Sequence, residues 1–221
     1  MATRYRWLRL NTDLKFSIVQ KRLLDVKFSE ISDDWFSESN NEPEKSIHYY
    51  WRTAITALYL DKNNDQVFQS VPTLSVVEFS LFEYKNFIYI RIKNPPRSVS
   101  MLANALERIL GFGVWFENIN MLANGRAALL RNLPDARLVS VKATNVKLTE
   151  SVMGRIEAVS KELIPDDLLV ELSMYPNLID FCSYEVLIEG VKGQVSFYRN
   201  GQIKVGDNIS GVVLSIVESM L

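Results

Sequence analysis

Residues 76–93 read VVEFSLFEYKNFIYIRIK, two alternating runs around Lys85-Asn86. With Lys85-Asn86 as a two-residue turn, Tyr84 faces Phe87, Phe82 faces Tyr89, Ser80 faces Arg91 and Glu78 faces Lys93. On the other side Leu81 meets Ile90 and Phe79 meets Ile92. Each pair is favourable by cross-strand chemistry, so this register is expected even though Lys-Asn is not the preferred Asn-Gly turn. One face of the hairpin is aliphatic. The other carries Phe82, Tyr84, Phe87, Tyr89, Arg91 and Lys93, with Arg97 just beyond.

That second face admits two readings. Aromatic rings beside cations on a sheet can stack bases and neutralise phosphates, so these seven residues are the candidate ligand- or nucleic-acid-binding set. The same residues can equally be covered by protein, with the arginine reaching the edge. No RNP-type consensus accompanies them.

Working outward, Pro95-Pro96 ends the strand because proline cannot donate to a ladder. Proline also suits the first turn of a helix. The helix expected next presents Val99, Leu102, Leu106 and Ile109, and closes at Gly111. A similar order recurs near the C-terminus. QVSFYRNGQIKVG reads as a hairpin on Asn200-Gly201 with a type I′ turn. A helix over 209–220 follows, with Ile209, Val212, Val213, Ile216, Val217 and Met220 inward.

Upstream, residues 1–27 hold seven Lys or Arg against two Asp, and read as short strands near 4–10, 14–19 and 22–28. An acidic loop over 29–45 reverses the charge, about +5 followed by −5, and the two segments are expected to pair. Trp35-Phe36 anchors that loop. Pro43-Glu44 then opens a helix to Leu60, from the spacing of Ile47, Trp51, Ile55 and Leu58. GVWFENI reads as a strand, and the segment before Pro134 contains a short helix. RLVSVKATNVKL, LLVELSMY and YEVLIEG read as strands. Thr149 caps a helix over 150–163 with Val152, Ile156, Val159 and Leu163 inward.

The expected fold is α+β: mainly antiparallel sheet with amphipathic helices packed on it, in two similar hairpin–helix halves. The seam falls at Pro134-Asp135, giving halves 1–134 and 135–221 of one compact unit.

Composition narrows the chemistry. The chain has 221 residues, 48% hydrophobic and 23% charged, which argues for a packed core rather than disorder. A net charge of −1 is low for a dedicated nucleic-acid binder. One cysteine, Cys182, precludes an internal disulfide, and one histidine, His48, precludes multi-histidine zinc sites. No stretch has the length or apolarity of a membrane span, and the first residues do not read as a signal peptide. A cytoplasmic location is expected.

No phosphate-cradling glycine motif and no G-x-S-x-G is present, and no cofactor is expected. A Cys182–His48 dyad is less plausible than a buried cysteine. The weak catalytic alternative is a metal-dependent nuclease using Asp65, Glu83 and Lys85, because Glu83-Tyr84-Lys85 forms an E-x-K triplet. Asp180, Glu189 and Lys192 have the wrong inner spacing. The favoured function is a non-enzymatic binding or assembly protein that docks to a protein partner or to itself. The alternative is a nucleic-acid-binding subunit using the 76–93 hairpin.

Overall fold

The computed structural model describes residues 1–39, 45–60, 62–147, 152–160 and 179–221. Among these residues are eleven strands, mostly antiparallel, and four α-helices. They fall into two compact units: Leu10–Phe116, and Met1–Arg9 with Glu117–Leu221.

The first unit holds α1 (Phe16–Asp25), β2 (Asp34–Glu38), β3 (Ile47–Leu60), β4 (Gln66–Tyr84), β5 (Phe87–Lys93) and α2 (Ser100–Leu110). Its strands lie in the order β2-β3-β4-β5. The hairpin between β4 and β5 has the expected register, from Glu78 opposite Lys93 to Tyr84 opposite Phe87. Lys85 and Asn86 both have positive φ, 50° and 66°, as a two-residue type I′ turn requires. Phe79, Ile90 and Ile92 on the aliphatic side are fully buried, with Leu102 and Leu106 of α2 also in the core.

Two expectations fail in this unit. Residues 14–19 and 22–28 are not strands. Val19 and Leu23 are buried at i, i+4 on α1, and Arg22 Nη1 donates to the Leu110 carbonyl at the end of α2 at 2.6 Å. The expected helix ending at Leu60 is instead β3. Its β-branched and aromatic residues favour a pleated strand, and β4 supplies a partner along its whole length, from Ile47 opposite Phe79 to Leu60 opposite Gln66. That pairing overrides the four-residue spacing of Ile47, Trp51 and Ile55. Within the expected acidic loop, Asp34–Glu38 form β2, where Phe36 is buried.

The second unit begins with β1 (Ala2–Asn11), whose last residues belong to the first unit. After β6 (Trp115–Asn118), which spans the other boundary, come α3 (Asn124–Asn132), β7 (Arg137–Lys147) and β8 (Met153–Val159). Then follow β9 (Ile179–Ile188), β10 (Val191–Tyr198), β11 (Gln202–Gly206), a 3-10 turn at Asp207–Ile209 and α4 (Ser210–Glu218). The strand order is β1-β11-β10-β9-β7-β8. Trp7, Phe197, Ile203, Val205 and Leu129 form much of its core, and the Trp7 indole donates to Glu218 at 2.9 Å.

Residues 153–159 are a strand rather than a helix, because β7 pairs with them from Ser140 opposite Val159 to Lys147 opposite Met153. Val152 and Val159 are exposed, not inward. The expected openings at Pro43-Glu44 and Thr149, the inward Leu163 and the strand in LLVELSMY lie outside the described residues. On α4, Val213 and Val217 are buried as expected, but Val212 is exposed. Ion pairs from both charged segments are formed among the described residues. Arg9 pairs with Glu117, and Asp34 takes Arg108 at 2.6 Å.

The 199–201 loop is not type I′. It has three residues, and Gly201 takes φ 79° while Asn200 stays outside the left-handed region. The Gly201 amide donates to Tyr198 at 3.0 Å, the pattern of a type I turn followed by a left-handed residue. A Cβ on Gly201 would stand 2.7 Å from the Ile119 carbonyl oxygen. Gly201→Ala is therefore expected to lower stability by about 2 kcal/mol or more, measured by urea denaturation.

Candidate functional site

Six of the seven residues, Phe82, Tyr84, Phe87, Tyr89, Arg91 and Lys93, share one side of the β4–β5 hairpin, while Arg97 lies beyond the end of β5, and they do not form one open surface. Tyr89 is 2% exposed and Arg91 8% exposed. Phe82 stacks on Tyr89 with ring centroids 5.6 Å apart, and the Lys85 ammonium lies 4.6 Å from the Tyr84 ring centroid. Lys93 is ion-paired with Glu78 at 3.1 Å. Arg97 and Phe87 are exposed. Phe87 lines an open cleft of about 480 Å³ with Asn11, Asp13, Lys15, Glu83 and Trp115. The cleft mixes both charge signs and concentrates neither.

The alternative acid set is not brought together. Asp65 precedes the first residue of β4 and Glu83 is its penultimate residue. At about 3.3 Å per residue their backbones lie roughly 55–60 Å apart along the strand, so they cannot share a metal ion. Glu83 and Lys85 adjoin the turn at the other end. Among the described residues, no three His, Cys, Asp or Glu are grouped to hold a metal ion. None of their helices is long and apolar enough to cross a membrane.

His48 lies in β3 of one unit and Cys182 in β9 of the other. Cys182 is buried, and burial pushes its thiol from 9.0 up to about 11, Arg126 opposing the shift. The thiolate is the disfavoured form, so the buried thiol is a poor nucleophile in the folded chain.

A different surface emerges from β3 and β4. Their roots are locked by aromatic contacts. Phe36 stacks on Tyr49 at 4.8 Å, Trp35 on Tyr50 at 5.2 Å, and Tyr49 on Trp51 at 5.2 Å. The Tyr49 hydroxyl donates to Asp34 at 2.8 Å. Burial, then Asp34, raises the Tyr49 pKa and keeps the phenol protonated. Past this root the flanking pairings end among the described residues. β2 pairs with β3 as far as Trp51, and β5 pairs with β4 from Glu78 onward. Residues 53–60 and 66–76 therefore continue as a two-stranded arm among the described residues.

Alternation puts the even-numbered arm residues on one face. Leu58 stands opposite Phe68, and Leu74 and Val76 follow toward the root. Leu58, Leu60, Phe68, Leu74 and Val76 are each more than half exposed, Phe68 most of all at 69%. Ile55 and Tyr59 are exposed on the other face. Over residues 51–76 the charged residues are Arg52, Asp61, Lys62 and Asp65, which cancel. Two strands alone are marginally stable in water, and an apolar row of this length normally meets a partner.

The helical reading of 44–60 concealed this arm. The missed signals were the β-branched and aromatic content of IHYYWRTAITALYL and the Asn63-Asn64 bend, where Asn64 has φ 66°. The chain matches no protein-family model and no curated protein.

Two outcomes are expected here. Arg91→Ala should lower stability by about 1–3 kcal/mol in denaturant titration, because the residue is buried rather than presented to a ligand. Native Cys182 should resist iodoacetamide at pH 8 and react fully once the chain is unfolded, as followed by mass spectrometry.

Proposed function

We propose that this chain is a non-enzymatic binding or assembly protein that docks to a protein partner or to itself through the β3–β4 arm. The carrying observation is the uncharged apolar face of Leu58, Leu60, Phe68, Leu74 and Val76. Removing such a row from water stabilises a complex by about 25 cal/mol for each Å² of apolar area buried. Nucleic-acid binding is less well supported. Phosphate contacts require Lys and Arg, which the arm largely lacks, and the expected hairpin face has Tyr89 and Arg91 buried. The proposal includes helices held against antiparallel sheet, two similar hairpin–helix halves and a cytoplasmic location. A hairpin followed by a helix in both β4–β5–α2 and β10–β11–α4 supports the halves.

The test compares the full chain with Phe68→Asp and Leu58→Asp in sedimentation and affinity purification at low and high salt. Wild type is expected to form a stoichiometric complex, with itself or a partner, that survives high salt. Each variant is expected to weaken it at least tenfold while leaving the thermal unfolding midpoint within a few degrees. A complex that dissolves in salt, or is unchanged in both variants, sinks this reading.

A further inference from the structure

The two edges of the arm differ. The Arg52 amide donates to the Asp33 carbonyl at 2.8 Å, so the backbone groups of Arg52 point away from β4. Alternation then turns the N–H and C=O of Ala54, Thr56, Leu58 and Leu60 toward the open edge of β3. On β4 the even-numbered residues face the opposite edge, and Pro72 sits opposite Ala54. That proline removes a donor from the β4 edge without costing the ladder, a common way to block strand addition. Another edge strand of the protein, β8, is protected differently, by the exposed Arg155–Glu157 ion pair and a register shift in its partner β7. Residues 53–60, TAITALYL, have no proline, no glycine and no charge. Among the described residues, this is the unprotected edge of the arm.

The geometry points to a second copy of this chain as its occupant, paired antiparallel through residues 54–60 about a two-fold axis at Ala57. The inference rests on the reading of the arm as a docking element. Its support is self-complementarity, which a two-fold interface demands. In this register Leu60 faces the partner's Ala54, Leu58 faces the partner's Thr56, and Ile55 faces the partner's Tyr59. Large side chains thus fall opposite small ones or form an aromatic–β-branched pair. Residues 54–60 carry no charge, so two-fold pairing within this segment brings no like charges together. The result is a four-stranded sheet, β4-β3-β3-β4, in place of two marginal ribbons. A single short strand edge belongs to the small interfaces, below about 1,200 Å² in total, that form reversible complexes.

Sedimentation velocity over a concentration series of the full chain tests this. Wild type should show a monomer–dimer equilibrium. Thr56→Pro removes a donor from the open edge while keeping the β3–β4 ladder, and should raise the dissociation constant at least tenfold. Ser70→Pro, the equivalent change on the other edge, should leave it unchanged. Ala57→Cys should give a covalent dimer on mild oxidation, since Ala57 meets its copy at a closely spaced pair and Cys182 is buried. If Thr56→Pro fails to fold, this cross-link decides. A wild type that stays monomeric at every concentration, a Thr56→Pro dimer as tight as wild type, or no covalent dimer from the Ala57→Cys variant overturns self-pairing. A monomer whose partner complex is still lost in Phe68→Asp would overturn this inference alone. A wild-type complex unchanged in Phe68→Asp and Leu58→Asp would overturn the reading beneath it.

Discussion

The antiparallel pairing of β3 with β4 is the constraint on which the first unit depends. It is unbroken from Ile47 opposite Phe79 to Leu60 opposite Gln66. At the root, the pair is flanked by β2 and β5, and Tyr49, Val77 and Phe79 are in the core. Among the described residues, the same ladder continues beyond the root without flanking strands. One strand pair therefore serves as core at one end and as exposed apolar surface at the other.

The root is built to hold direction. Asp34 accepts from the Tyr49 hydroxyl and pairs with Arg108 of α2, tying β2, β3 and α2 at one carboxylate. The stacked rings of Trp35, Phe36, Tyr49 and Tyr50 add shape-specific packing worth about 0.5–1.5 kcal/mol per pair beyond area burial. Such a base favours the docking proposed above, because less freedom is lost on binding when the element is already ordered.

Local chemistry made the β4–β5 hairpin legible. Each cross-strand pair from Glu78–Lys93 to Tyr84–Phe87 was readable from alternation, and the turn followed from strand lengths rather than from its residues. The 199–201 loop shows the limit of such reasoning. Asn-Gly favours type I′, yet the pairing of Phe197 with Ile203 leaves three residues between the strands, and only Gly201 turns left-handed. In α1, Val19 and Leu23 were visible at helical spacing, but interspersed apolar residues allowed a strand reading. What separated them was burial against tertiary neighbours. The candidate surface was less legible still. Ile47, Trp51, Ile55 and Leu58 satisfy a helical spacing, and nothing within residues 44–60 reveals that residues 66–79 will pair with them.

By itself the sequence determined the α+β class, the β4–β5 register, the helix after Pro95-Pro96 and the scarcity of familiar catalytic motifs. These depend on contacts between residues close in the chain, where alternation, proline geometry and composition act directly. Tertiary structure decided which faces water reaches. It buried Tyr89 and Arg91, which had looked like a binding surface, and left Leu58, Phe68 and Leu74 exposed, two of which had no assigned role. Exposure depends on which strands end early and what covers them, and those are properties of distant segments that no local pattern carries.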